Sequence, residues 1–359
     1  MTTPQSLPCV LPWKAFFVDE RCGVLSALPC CANWFKGSFG LITSNSTVAD
    51  LWNSPDAQKL RRRVASGNTD DLCARDCPWL VSGRFSESAM TILPGPEPFE
   101  ENQRLNLQEI RERRTILKSK PMAVRMIPTL RCNIRCRMCH QDHSADLELP
   151  ETLLRSVREF GPFIYDYQLH GGEVLLARGL RQWVDPDWFA ANPQMLLSLI
   201  TNGTVLPPST WDILQNVRIN YITISINAAT RETYERMAGS DLFEDVIRNA
   251  VAIRDLGRNH KLRKFETYIS FVIARSNFHE VPDFVRLAAR LEMPFRLLLV
   301  VGDEMGESIF TAPPILDQVF DAVDEAELIA DERSRPEVTR VRCSLQESLS
   351  SSEHCREIL

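Results

Sequence analysis

Apolar residues in the second half of the chain recur in short runs that are separated by amphipathic stretches. The intervening segments, such as "PETLLRSVREF" and "HEVPDFVRLAARLE", place apolar residues at helical spacing. Strands that alternate with helices of this length predict βαβ units and a parallel sheet with right-handed crossovers. The predicted strands lie at residues 123–128, 163–170, 195–201, 220–226, 266–274 and 295–301.

Six such units are fewer than the eight of a closed barrel. The pattern therefore predicts an α/β fold with a partial, TIM-like (β/α)6 barrel over residues 101–335. In such folds the chemistry lies at the C-terminal ends of the strands, so polar residues at those ends are candidate site residues.

The first hundred residues have a different pattern. Residues 7–31, "LPCVLPWKAFFVDERCGVLSALPCC", predict two short strands about a turn, and residues 46–68 predict a capped helix. The proline-rich, acidic "LPGPEPFEENQ" predicts irregular structure, and the charged "LNLQEIRERRTILKSK" after it predicts a helix. We therefore expect a small α+β domain with its linker over residues 1–100, the barrel over 101–335, and a polar tail over 336–359.

Charge and cysteine content narrow the function. A net charge of -6 and a pI near 5.7 provide no basic field for nucleic acid. The pattern predicts no membrane span, and the start "MTTPQSLPCVLPWK" lacks a targeting signal, so a cytoplasmic location is expected. Because a reducing compartment disfavours disulfides, the 11 cysteines indicate metal or redox chemistry.

Three of these cysteines, Cys132, Cys136 and Cys139, stand in "RCNIRCRMCH" directly after the first predicted barrel strand. Three thiolates can hold three corners of a [4Fe–4S] cube while the fourth iron stays open to a substrate or cofactor. The alternative is a zinc knuckle completed by His140 or His143, although zinc ligands usually come as two separated pairs.

This C-x3-C-x2-C spacing after the first strand of a (β/α)6 barrel resembles the radical S-adenosylmethionine (SAM) superfamily. The resemblance implies that a [4Fe–4S] cluster binds S-adenosyl-L-methionine. It implies one-electron reduction to methionine and a 5′-deoxyadenosyl radical, which abstracts a hydrogen atom from the substrate. It also implies an external one-electron donor such as flavodoxin or ferredoxin.

Other strand ends resemble the SAM-binding positions of the family. "HGGEVLL" ends the second strand, and its Gly171, Gly172 and Glu173 resemble the GGE motif that receives the SAM ammonium group. Glycine is needed there because a side chain would block the close approach of the backbone. Positions that resemble contacts to the SAM ribose and carboxylate are Asn202, Ser225 and Asn227, although the family often has aspartate in place of Asn227.

Charged residues follow the fifth and sixth strands. Arg275, beside Asn277, is expected to pair with the SAM carboxylate or an anionic substrate, and the alternative is a solvated or helix-capping arginine. Asp303 and Glu304 are candidates for binding substrate hydroxyl or amino groups, and the alternative is that they are merely solvated.

The amino-terminal hairpin, helix and cysteine pair together resemble the SPASM/twitch domain, which holds an auxiliary [4Fe–4S] cluster. In most members this domain follows the barrel, whereas here it precedes the barrel. The same thiolates could instead hold zinc, and Cys22 is expected to be a spare thiol. The candidate ligands are Cys9, Cys30 or Cys31, Cys73 and Cys77.

Three functions follow. The first is oxidation or epimerisation of a small molecule or carbohydrate, the second is maturation of a ribosomally made peptide, and the third is a non-catalytic Fe–S or zinc protein. No segment has the length of a leader-binding winged helix, which favours the first. An epimerase needs a hydrogen donor, for which Cys343 and Cys355 in the tail are candidates unless the tail is disordered. A four-thiolate cluster is a ready electron acceptor, which favours oxidation.

Overall fold

The computed structural model describes residues 6–21, 24–30, 35–69, 71–73, 77–141, 148–300 and 305–356. Side chains from residue 348 onward, including that of Cys355, are outside this description, as are Cys22, Cys31, His143, Asp303 and Glu304. The chain divides into two compact units. Unit 1 comprises Met1–Leu130, Ser144–Ser198 and Asn216–Arg218, and unit 2 comprises Arg131–His143, Leu199–Gln215 and Ile219–Leu359.

Unit 1 contains a sheet with strands in the order β3-β2-β1-β4-β5. β1 and β2 form the predicted antiparallel hairpin, and β1 also runs parallel to β4, which runs parallel to β5. The strands are β1 (Ala15–Arg21), β2 (Val24–Leu28), β3 (Gly40–Leu41), β4 (Ala123–Met126) and β5 (Asp166–Leu169). The helices are α1 (Leu11–Lys14), α2 (Val48–Trp52), α3 (Pro55–Ala65), α4 (Pro78–Val81), α5 (Glu97–Arg111), α6 (Glu151–Glu159), α7 (Leu180–Trp183) and α8 (Pro186–Ala191).

The prediction of irregular structure for "LPGPEPFEENQ" is wrong, because α5 begins inside this segment at Glu97. Proline is favoured in the first helical turn, where its missing N–H has no partner to lose, and Pro98 stands there. Glu97 and Glu100 add negative charge at the positive end of the helix dipole. The predicted boundary near residue 100 thus lies within α5, and the compact units do not follow it.

The helix predicted over residues 46–68 is divided in two. Ser54 accepts a hydrogen bond from the Ala57 N–H at 3.0 Å, and Pro55 opens α3. A proline at this place cannot continue the preceding helix but suits the start of the next one. The break therefore separates α2 from α3.

Arg61 joins the two helices to the rest of unit 1 from a fully buried position. Its guanidinium lies 4.6 Å from the Trp52 ring centroid and 5.4 Å from that of Phe39. It donates to the carbonyls of Pro12 at 2.9 Å, Trp52 at 2.8 Å and Thr115 at 2.9 Å. The partners of this buried charge are carbonyl oxygens. Each of these carbonyls depends on Arg61 for a hydrogen bond, so the residue is required for the local structure.

Replacing Arg61 with methionine should lower the free energy of unfolding by about 3 kcal/mol, since three buried carbonyls lose their donor. Urea denaturation followed by circular dichroism measures this. The matched control is Arg62→Met on the exposed side of the same helix, which should change stability by less than about 0.5 kcal/mol. Equal effects of the two variants would contradict a bracing role for Arg61.

Unit 2 contains the parallel strands β7, β8 and β9 in that order. Its core includes Phe271 on β8, whose ring centroid lies 4.9 Å from that of Phe284 on the following helix. The strands are β7 (Ile219–Ser225), β8 (Glu266–Ile273) and β9 (Phe295–Leu299). The helices are α9 (Pro208–Gln215), α10 (Arg231–Ala238), α11 (Phe243–Asn259), α12 (Val281–Arg290), α13 (Pro313–Ile329) and α14 (Arg335–Arg356).

The polar tail is helical, so the alternative of a disordered tail is wrong for the described residues. Val338 and Val341 on α14 are fully buried. Glu337 accepts a hydrogen bond from the Leu297 N–H at 2.8 Å, and Arg340 donates to the Leu297 carbonyl. These side chains satisfy backbone groups of β9 that would otherwise need a further strand.

All six predicted barrel strands are present as β4, β5, β6 (Leu196–Thr201), β7, β8 and β9. The division between the two units falls within β6. The predicted α/β class with a mostly parallel sheet is therefore confirmed. Within the described part of the chain, each helix is too short or too polar to cross a bilayer.

Candidate active site

The loop that carries Cys132, Cys136 and Cys139 lies in unit 2 against the end of α10. The Arg135 N–H donates to the Ala238 carbonyl and the Arg137 N–H to the Met237 carbonyl, both at 2.8 Å. These carbonyls belong to the last turn of α10, where intrahelical partners run out. Gly239 follows in the left-handed conformation, with φ of 66°, and ends the helix. Backbone hydrogen bonds thus join the cysteine loop to the end of α10.

The three thiols lie close enough to influence one another. Burial, with smaller contributions from the neighbouring Cys139 and Cys132, raises the pKa of Cys136 to about 12. All three side chains are of intermediate exposure. Among the described residues, no three or more His, Cys, Asp or Glu side chains are arranged so that they could hold a metal ion. Three soft donors in one short loop nevertheless fit an iron–sulfur cluster, and ligation would displace their protons.

Asn202, at the end of β6, lies beside this loop. Its Nδ2 donates to Cys132 Sγ at 3.6 Å and to Asn133 Oδ1 at 3.0 Å. Its Oδ1 accepts from the Thr204 N–H at 2.9 Å, which fixes the orientation of the amide. Hydrogen bonds to a ligand sulfur orient it and tune the metal. The contact to the SAM ribose stays a prediction for Asn202.

Asn227 and Asn277 brace the ends of β7 and β8. Asn227 has φ of 59°, a left-handed conformation that asparagine tolerates, and its Oδ1 accepts from the Val272 N–H at 2.8 Å. Asn277 Nδ2 donates to the Asn227 carbonyl at 3.0 Å. Ser225 lies nearby with its hydroxyl 3.4 Å from that of Ser270. The SAM contacts of Ser225 and Asn227 stay predictions.

The residues after β8 bind back to the cysteine loop through Glu307, which the sequence analysis missed. Glu307 is 2% exposed, and its Oε1 lies 2.7 Å from Arg137 Nε. The Ser276 N–H and hydroxyl also donate to this carboxylate, at 3.0 and 2.8 Å. A glutamate in a polar stretch carries no local signal for such a role. Glu307 thereby fastens the loop to the end of the fifth barrel strand.

Arg275 lies beside this network. Its side chain donates to Thr311 Oγ1 at 2.9 Å and to the Ser308 carbonyl at 3.3 Å, while its buried Nε has no hydrogen-bond acceptor among the described residues. Two of its donors are thus already used by the protein. Pairing with SAM or substrate stays a prediction for Arg275.

The Gly171-Gly172-Glu173 segment belongs to unit 1. Gly171 has φ of 133°, and a Cβ there would lie 2.6 Å from Ile127 Cγ2 and 2.8 Å from the Thr129 carbonyl oxygen. The position therefore requires glycine for steric and conformational reasons. Glu173 is fully buried, and its Oε1 accepts from the Leu175 N–H at 2.9 Å. The predicted receipt of the SAM ammonium group is compatible with a carboxylate fixed in this way.

The candidate auxiliary ligands of unit 1 line one cavity. Burial, with smaller contributions from the neighbouring Cys73 and Cys77, raises the pKa of Cys9 to about 12. Apart from the thiols, the lining is almost wholly apolar and includes Phe35. Four thiols around an apolar cavity suit an iron–sulfur cluster better than they suit a metal ion that keeps bound water. The cysteines that line it are Cys9, Cys30, Cys73 and Cys77.

Comparison with known families agrees with this organisation. The model of the radical SAM superfamily matches residues 126–288. The model of the iron–sulfur cluster-binding domain called SPASM matches residues 9–78. The predicted order, with the SPASM domain before the barrel, is therefore confirmed.

Curated relatives carry the name probable GTP 3′,8-cyclase. The protein of Saccharolobus islandicus strain M.14.25 is 28% identical over 173 residues, which are 45% of this chain and 50% of the relative. The protein of Methanopyrus kandleri is 26% identical over 236 residues, which are 64% of this chain and 69% of the relative. The chain thus spans about half the length of the Saccharolobus relatives that it matches.

Solved structures with a similar chain course include SuiB of Streptococcus suis bound to S-adenosylmethionine. Its TM-score is 0.46 at 13% identity, covering 80% of this chain and 66% of that one. The radical SAM methyltransferase TsrM from Kitasatospora setae, with cobalamin and a [4Fe–4S] cluster bound, has a TM-score of 0.38 at 13% identity. That match covers 50% of this chain and 36% of TsrM.

Proposed function

Since the chain is a radical SAM enzyme with an N-terminal SPASM domain, we propose that it oxidises a small-molecule or carbohydrate substrate by removing a carbon-bound hydrogen atom. Its cofactors are a [4Fe–4S] cluster, S-adenosylmethionine and an auxiliary iron–sulfur cluster. When bound, they supply a 5′-deoxyadenosyl radical and a one-electron acceptor. An external one-electron donor, such as flavodoxin or ferredoxin, provides the reducing electron.

In this proposal Cys132, Cys136 and Cys139 hold the first cluster. Asn202 keeps the Cys132 sulfur oriented through its 3.6 Å hydrogen bond. Glu307 holds the loop in place through the 2.7 Å ion pair with Arg137. These contacts support a rigid ligand loop, which a reaction that requires one open iron position needs.

The observation that carries oxidation over epimerisation is the cavity lined by Cys9, Cys30, Cys73 and Cys77. Complete thiolate ligation leaves a cluster no open position for substrate and suits it to electron transfer. The candidate hydrogen donor Cys343 is exposed on α14. An exposed thiol lacks the enclosure that a stereospecific hydrogen donor needs.

A second candidate is cyclisation of GTP, the activity in the names of the curated relatives. The similarity covers 50% of the Saccharolobus relative and 69% of the Methanopyrus relative, so it supports the candidate only through the shared segment. Peptide maturation is the remaining alternative.

The test is turnover in deuterium oxide under anaerobic conditions, with SAM, dithionite and a panel of monosaccharides, cyclitols and GTP. We expect a product two hydrogens lighter than its substrate, with one 5′-deoxyadenosine formed per product, because the 5′-deoxyadenosyl radical would take one hydrogen atom, the auxiliary cluster would take one electron, and one proton would leave to solvent. Cys343→Ala should leave this product unchanged, because the proposed oxidation uses no thiol hydrogen donor. Mass spectrometry and NMR identify the product.

Other outcomes select the alternatives. A single deuterium at an inverted carbon, lost in Cys343→Ala or in Cys355→Ala, would establish epimerisation. Conversion of GTP alone would establish cyclisation. Turnover of a precursor peptide, with none of the small molecules consumed, would establish a maturase.

A further inference from the structure

Polar side chains share the face of β4 and β5 that includes Arg125. Arg125 of β4 pairs with Gln168 of the neighbouring β5. It also pairs with Phe17 of β1, the strand next to β4 on its other edge. Because side chains alternate along a strand, Asp166 lies on the same face two residues before Gln168. The His170 N–H continues the ladder to the Met126 carbonyl at 3.1 Å, which places His170 on that face also.

Two of these groups lack hydrogen-bond partners despite their burial. Arg125 Nε is a buried donor without an acceptor among the described residues, and its guanidinium is stacked 4.3 Å from the Phe17 ring centroid. Gln168 is 3% exposed, and its Oε1 is a buried acceptor without a donor in the same part of the chain. An unsatisfied buried polar group costs about 1–3 kcal/mol. Two of them, side by side in register, indicate a ligand that satisfies both.

The titratable groups near Arg125 on these strands have shifted pKa values. Burial, with a smaller contribution from the charge of Arg125, lowers the pKa of His170 to about 4, so the imidazole is neutral at pH 7. Burial raises the pKa of Asp166, which Arg125, the Ser198 hydroxyl and Arg84 oppose. Burial also raises the pKa of Tyr165 to about 12, so its phenol is neutral. The neutral imidazole adds no positive charge, so the guanidinium of Arg125, with its unsatisfied Nε, is the group that favours an anionic ligand, while Asp166 and, two residues after Phe17, Asp19 share its face.

We infer that Arg125, Gln168 and His170 form a binding site for an anionic oxygen group of the substrate, either a carboxylate or a phosphate. Arginine presents a planar set of donors that pairs with both groups through two parallel hydrogen bonds. Gln168 Oε1 then accepts from a hydroxyl next to the anion. The inference rests on the proposed function, and it narrows the substrate class to a sugar acid, a phosphorylated sugar or a similar polyol anion.

Phe17 supports this assignment because its ring stacks on the guanidinium of Arg125 and orients it. The stacking uses none of the N–H donors of Arg125. A cation stacked on an aromatic ring is held in orientation while its edge donors stay available. Arg61, in contrast, stacks on aromatic rings and spends its donors on carbonyls of the protein. The same residue type is thus a structural brace at one place and a candidate ligand-binding group at the other.

The experiment measures thermal stability of the full chain with its clusters reconstituted, without SAM or reductant. Sodium phosphate and sodium acetate are the probes, with sodium chloride at equal ionic strength as the reference. We expect both probes, or one of them, to raise the melting temperature of the wild type, because a ligand that binds only the folded state stabilises it. Stabilisation by phosphate alone would identify a phosphate ester, and stabilisation by acetate alone a carboxylate.

Arg125→Gln should weaken the apparent affinity for the stabilising anion by at least about tenfold, because the bidentate partner is lost. The matched control is Arg155→Gln on α6, whose side chain is 67% exposed and 4.0 Å from Glu151. This control should respond to the anion like the wild type. An equal response of Arg125→Gln and the control, or the absence of any response in the wild type, would overturn the inference.

Gln168→Leu is the second variant, and it keeps the test decisive if Arg125→Gln does not fold. Removing an unsatisfied buried acceptor should leave the melting temperature without anion equal to or above that of the wild type, and the anion response should fall. A large loss of stability without anion would show that Gln168 is structural. Since the assay needs no SAM cleavage, an inactive wild type would refute the proposed function and leave the anion site standing.

Discussion

Cys136→Ala is expected to reduce 5′-deoxyadenosine formation by more than about 100-fold. Substitution of a residue that only hydrogen-bonds to a metal ligand typically costs about 10–100-fold. The cluster loses one of three protein ligands in a loop that offers no spare thiol. Iron bound in unit 2 should be lost together with SAM cleavage. The measurement is 5′-deoxyadenosine formed with dithionite under anaerobic conditions, alongside iron per chain.

The matched control is Cys343→Ala, because Cys343 is an exposed cysteine on α14. It should keep both the iron content and the 5′-deoxyadenosine yield of the wild type. Undiminished product from Cys136→Ala would end the assignment of the cysteine triplet. Loss of product in both variants would point to damage during reconstitution rather than to a missing ligand.

Cys77→Ala is expected to lower the iron content from about eight to about four per chain, since it removes one ligand of the auxiliary cluster. Cys77 is 5% exposed and lines the cavity of unit 1. SAM cleavage without substrate should continue, whereas formation of the oxidised product should stop. Iron and sulfide analysis, together with zinc determination, checks the first expectation, and product analysis checks the second.

Zinc in the wild type together with about four irons would contradict an auxiliary iron–sulfur cluster. An unchanged iron content in Cys77→Ala would contradict the ligand role of Cys77. A point variant is preferable to removal of the first 100 residues. That removal would strip β1 from its parallel pairing with β4 and cut α5.

The N-terminal region is therefore a structural part of unit 1 as well as a candidate cluster site. Asn106 on α5 donates to the Trp13 carbonyl at 2.6 Å and to the Ser119 hydroxyl at 2.9 Å. Contacts of this kind join segments that are distant in sequence. The predicted boundary near residue 100 falls inside α5 and does not coincide with a boundary between the compact units.

The sequence by itself determined the features that depend on local spacing. Hydrophobic runs predicted all six barrel strands, because strand length and burial follow from a short stretch of residues. The spacing of Cys132, Cys136 and Cys139 indicated an open cluster site for the same reason, and the cysteine pattern of the first 80 residues indicated a second site.

Only the tertiary structure decided which distant residues meet. Glu307 joins Arg137 across 170 positions, and the pairing of Arg125 with Gln168 depends on the register between β4 and β5. Register is set by packing of whole elements, and a shift of one residue would turn both side chains to the other face. Helix α14 likewise depends on β9, because its side chains satisfy backbone groups at the edge of that strand. No local signal in the sequence predicts this contact.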